Sequence, residues 1–179
     1  MILYVYAGTL FLSAFILFLV QPIIGKMILP KLGGTPQVWN TCMVFFQMVL
    51  LAGYAYTHAM STRLNARRQL MFHAILLFLP LVILFFLYPY PFNVEWWNAP
   101  PGSNPIPSTL LVLIAIVGLP FFVVSTTAPL LQRWFVYTGH PAAKDPYFLY
   151  GASNLGSLLS LVLYPTIIAH YLSRAQQAW

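Results

Sequence analysis

The side chains that could do acid–base, nucleophilic or metal chemistry are few in this sequence and far apart. Its carboxylates are Glu95 and Asp145, and both lie in links between long apolar runs. Proton relays and intramembrane cation sites normally need an acidic group inside such a run. No Ser, His and Asp are spaced as a hydrolase would need, and no glycine loop is built to cradle a phosphate. Cys42 is the single cysteine, which excludes an internal disulfide and a CxxC metal site. It is expected to pack as a small apolar residue. His58 and His73 fall near the same ends of adjacent runs and have the ligand chemistry for one haem or for two pigments. The competing reading places them as interfacial residues. The sequence assigns no catalytic residue, no metal ligand and no cofactor.

Neutral polar residues inside the apolar runs carry more information, because their spacing is helical. Asn40, Gln47 and Tyr54 recur every seven residues, with His58 four further on, and so share one stripe. Thr9, Ser13 and Gln21 drift slowly round the first run. Tyr150, Asn154 and Ser157 share a face of the last, beside the small-residue rows Ala152, Gly156, Ser160 and Ser153, Ser157. Small rows let backbones approach, and polar side chains bond across helices. One reading makes all of these packing groups within a bundle. The other is a cavity lined by Gln21, Asn40, Gln47 and Asn154. Gly156 is expected in a close contact with the first or second helix.

The stretch "VVSTTAPLLQRW" (123–134) interrupts an apolar run with Ser125, Thr126, Thr127 and Pro129. Pro129 has no N–H to donate and clashes with the preceding turn, which frees the carbonyl of Ser125. The hydroxyls of Thr126 and Thr127 are then expected to bond local backbone or a neighbouring helix. A bend is expected there, and another near Pro22.

The elements that hold these residues follow from composition. The chain is 60% hydrophobic and 6% charged, against about 25% charged in a soluble domain. Several runs reach the roughly 20 residues a helix needs to cross a bilayer. The fold class is all-α, a polytopic transmembrane bundle in one domain. Its five spans fall at about 3–29, 36–60, 69–88, 108–137 and 146–171. Thr35–Pro36 and Asp145–Pro146 each read as a cap followed by proline at the first turn. The first run lacks the basic region of a cleavable signal and reads as a retained helix. The net charge of +6 is scattered, without the aromatic-interleaved patch of a nucleic-acid binder. Basic residues instead set orientation. Arg63, Arg67, Arg68, Arg133 and Lys144 share one side, and Lys26, Lys31 and Arg174 the other, which predicts a cytoplasmic N-terminus. The proline-rich segment 88–107 then lies outside, with Tyr88, Tyr90, Phe92, Trp96 and Trp97 suited to the interface as an anchor or as a docking surface.

Three stretches carry a resemblance. "QPIIGKMILPKLGGTPQVWNTCMVFFQMVLLAGYAYTH", "GLPFFVVSTTAPLLQRWF" and "DPYFLYGASNLGSLLSLVLYP" resemble, in order, the membrane region of bacterial fused transporter-like/spermidine synthase proteins. The resemblance implies a fold like half of a major-facilitator transporter. It also implies a soluble aminopropyltransferase-like domain elsewhere in the protein. The motifs of that domain do not occur in these 179 residues, so aminopropyl transfer maps to none of them. The expected function is a membrane-embedded, non-catalytic module of such a protein, serving as anchor or small-molecule passage in a bacterial inner membrane. Its partners would be the lipid bilayer and either other membrane subunits or its own soluble domain, with no nucleic acid. The alternatives are an accessory subunit of a larger respiratory, photosynthetic or transport complex, and a small transporter half working as a dimer. Ser173 and Gln176 fit a capping box, so "SRAQQAW" is expected to open a sixth span in a longer polypeptide.

Overall fold

The computed structural model describes residues 1–87, 102–173 and 176–177. Among them the chain is an all-α bundle without a strand. Helices α1 (Ile2–Ile28), α2 (Pro36–Arg63) and α3 (Ala66–Leu87) come first. Then α4 (Pro105–Leu113), a π-helical turn (Ile114–Gly118) and α5 (Leu119–Val136) follow each other without a break. A 3-10 turn at Pro141–Lys144 leads to α6 (Tyr147–Leu163), a second π turn (Tyr164–Ile168) and α7 (Ala169–Tyr171). Five of the resulting rods are long and apolar enough to cross a membrane: Ile2–Ile28, Pro36–Arg63, Ala66–Ile83, Pro105–Val136 and Tyr147–Tyr171.

Short polar side chains fix where the rods start. Thr35 Oγ1 accepts from Val38 N at 3.4 Å, with Pro36 in the first turn. Asn104 Oδ1 accepts from Ile106 N at 3.0 Å ahead of Pro105. Asn65 Oδ1 accepts from Arg68 N, and Asp145 Oδ1 from Tyr147 N. Each satisfies an N–H that a helix start leaves unpaired. The Asn104 cap starts the fourth span three residues ahead of its expected position, and the Asn65 cap does the same for the third. Between α1 and α2 the chain turns through Gly33 and Gly34 at φ of 99° and 60°, a region that disfavours side chains.

The α4–α5 rod is the centre of the bundle. It packs on α2 on one side and α1 on the other, α6 lies along α1, and α3 rests on α5 and α2. One cluster, including Leu17, Ile24, Val38, Phe46, Val112 and Phe121, fills the end where α1 finishes and α2 starts. A smaller one, Leu10, Phe135 and Leu149, closes the opposite end. That second end also carries Arg63, Arg67, Arg68, Arg133 and Lys144, so the five basic residues expected on one side do lie there together. Lys26 and Lys31 lie at the other, where Lys26 Nζ donates to Ala169 O at 3.4 Å.

At the prolines where bends were expected, α1 stays helical through Pro22 and α5 through Pro129. Two π turns interrupt the α-helical pattern, at 114–118, two residues before Pro120, and at 164–168, around Pro165. A π turn fits one additional residue into the helix. Each of the two π turns lies close to a proline, which lacks the N–H that would close the preceding turn.

Candidate functional site

The stripe on α2 is formed, and it faces outward. Asn40, Gln47, Tyr54 and His58 are all exposed on the side of α2 away from α4 and α5. The buried side is made by Val38, Cys42, Phe45, Phe46, Gly53, Thr57 and Met60. Val44 and Leu51, 56% and 61% exposed, complete the outer stripe. Asn154 on α6 is exposed as well, and Gln21 is half-buried, with Nε2 turned back to Leu17 O at 3.5 Å. The expected cavity of Gln21, Asn40, Gln47 and Asn154 is therefore not assembled. Seven-residue spacing put the α2 groups on one face, but that face is not the one that meets the bundle.

The small row of α6 does meet the bundle. Gly156 and Ser160 are buried and Ala152 half-buried, facing α1. A Cβ on Gly156 would collide with the carbonyl oxygen of Phe11 and lie 3.2 Å from Phe15 N, so no side chain fits there. A matching contact was not evident from spacing. Gly53 of α2 lies against Ser125 of α5, where an added Cβ would sit 3.1 Å from Ser125 Cβ. The hydroxyls of the 125–127 run are spent locally. Ser125 donates to Phe122 O at 2.7 Å, and Thr126 and Thr127 to Val123 O at 2.7 and 3.3 Å. Hydrogen bonds between helices include Ser13 Oγ, which donates to Val124 O, and Tyr164 OH, which donates to Pro22 O.

A polar cluster lies beneath the Arg63–Arg68 turn. Gln69 is fully buried; its Nε2 donates to Leu64 O at 2.8 Å, and its Oε1 accepts from Trp134 Nε1 at 2.9 Å. His73 is 4% exposed, edge-on to Trp134 with centroids 5.8 Å apart, and 6.5 Å from the ring of Tyr56. His73 Nδ1 and Tyr56 OH are both buried without a hydrogen-bond partner among the described residues. The two rings are neighbours, and both atoms are left unpaired by the described residues. They do not suit haem ligation with His58, which sits on the outer face of α2 and does not converge with His73. Among the described residues no three His, Cys, Asp or Glu gather as a metal site. Cys42 packs in the core as expected.

The aromatic residues of the 88–101 segment lie outside the described residues, and so does Arg174. At the far end the expected capping box is made: Ser173 N donates to Gln176 Oε1 at 2.9 Å, and Gln176 N to Ser173 Oγ at 3.3 Å. Comparison with protein-family models, with curated proteins and with solved structures finds no match for this chain.

Proposed function

We propose that this chain is a membrane-embedded, non-catalytic module whose work is to hold other protein in or at a bacterial inner membrane. The carrying observation is the outward turn of Asn40, Gln47, Tyr54 and His58 on α2. Amides facing lipid leave their donors and acceptors unpaired, which is unfavourable in hydrocarbon. Covered by protein, the same groups become hydrogen bonds between helices. α3 makes the contrast, since beyond Arg68 its outer face is apolar, with Leu70, Phe72, Ile75, Phe78, Leu81 and Phe85 exposed. That is a face for lipid.

The resemblance to the membrane region of fused transporter-like/spermidine synthase proteins agrees with an anchoring role. The five basic residues at one end support a cytoplasmic N-terminus, by the excess of Lys and Arg in cytoplasmic loops. An internal passage for a small molecule is less favoured, because Asn40, Gln47 and Asn154, which would line it, face outward. The reading is tested by replacing Asn40 and Gln47 together with Leu and extracting the protein in mild detergent. The chain is expected to leave its assembly and run at lower mass while its helix content and melting stay unchanged. An unaltered assembly mass would reject the docking role.

A further inference from the structure

We infer that the outer face of α2 is the interface for a second copy of this chain, paired in parallel about a two-fold axis along the membrane normal. The inference rests on the docking role proposed above and names the partner. Residues 40, 44, 47, 51, 54 and 58 are spaced alternately by four and three, the step of a coiled-coil seam, and all six are exposed. From Asn40 to His58 the seam runs roughly 27 Å at 1.5 Å per residue, close to the depth of the bilayer core. None of its polar side chains has a hydrogen-bond partner among the described residues.

The chemistry of the layers fits a second copy of the same helix. Across a parallel two-fold axis each seam residue meets itself. An amide both donates and accepts, as do a phenol hydroxyl and a neutral imidazole. Asn40 against Asn40, Gln47 against Gln47, Tyr54 against Tyr54 and His58 against His58 are thus self-complementary pairs. The layers of Val44 and Leu51 between them supply apolar knobs that pack equally well on their own copies. Membrane insertion already makes any two copies parallel, so the geometry needs no further device. A symmetric contact of this kind closes on itself and stops at two.

The test uses single cysteines in native membranes under mild oxidation, with buried Cys42 left in place. Val44→Cys, Gln47→Cys and Leu51→Cys are expected to give a disulfide-linked band of doubled mass. Ala52→Cys, exposed on α2 but off the seam, and Ile75→Cys on α3 are expected not to. Equal linking at all five positions, or none on the seam, overturns the second copy. Gln47→Leu should lower the dimer fraction by about three- to tenfold, the range of one interhelical polar contact, whereas Gln47→Asn should retain it. A photoreactive side chain at Gln47 separates the two levels of inference. An adduct of doubled mass supports the copy. An adduct to a different protein overturns the copy and leaves the docking role standing, and adducts to lipid alone overturn both.

Discussion

Two glycines and a glutamine carry the sharpest expectations at the scale of single residues. The Gly156 site has backbone on its far side, and backbone cannot step away. Gly156→Leu should therefore lower stability by about 1–3 kcal/mol, the usual cost of overpacking, read as a lower melting temperature in detergent. The Gly53 site differs, because its neighbour is the side chain of Ser125. Gly53→Ala should destabilise on its own and be partly rescued by Ser125→Ala, which removes the oxygen in the way. A double-mutant cycle reads that coupling directly. Gln69→Leu leaves Trp134 Nε1 and Leu64 O without the bonds seen here, a loss of about 1–3 kcal/mol for buried groups. It should also shift Trp134 emission. Gly156 was legible in the sequence, since small residues every four positions announce a close approach. The Gln69–Trp134 bond was not, because 65 residues separate its partners and nothing local couples them.

At the scale of elements, the spans were legible because each is a long apolar run, and a cap with a proline marks the start of α2 and of α4. Thr35–Pro36 and the Ser173–Gln176 box formed as their residue types require. The π turns were not legible in the same way. Proline alone does not say whether a helix tilts, continues or takes up a π turn; its neighbours decide, and the chain uses π turns at 114–118 and 164–168. If the first π turn holds one residue beyond regular α-helix, deleting Ala115 should convert it to α-helix and keep both flanks in register. Melting should then change by only a few degrees. Deleting Thr127 from regular α5 should rotate Leu130 and Phe135 out of the core and abolish folding. Equal damage from both deletions would contradict this reading of the turn.

Periodicity stated which α2 residues share a face, but not what that face meets, and so the whole-molecule placement of the polar stripe needed the packing. The α2 stripe lies outside because the opposite side, with Phe45, Phe46 and Gly53, fits the α4–α5 rod more closely than amides could. Orientation belongs to this scale too. With the basic end inside, Ala66→Cys should react with a membrane-impermeant thiol reagent only after the membrane is opened, and Pro30→Cys without opening. Reversed labelling would invert the bundle. The most direct measurement of what covers α2 is the collision rate of lipid-dissolved oxygen with nitroxide labels placed in turn at Gln47 and Phe78, in native membrane vesicles. A protein-covered face predicts a rate several-fold lower at 47 than at 78, with minima repeating at 44 and 51. Equal rates at 47 and 78 would show the amide stripe bathed in lipid and would contradict a docking face on α2.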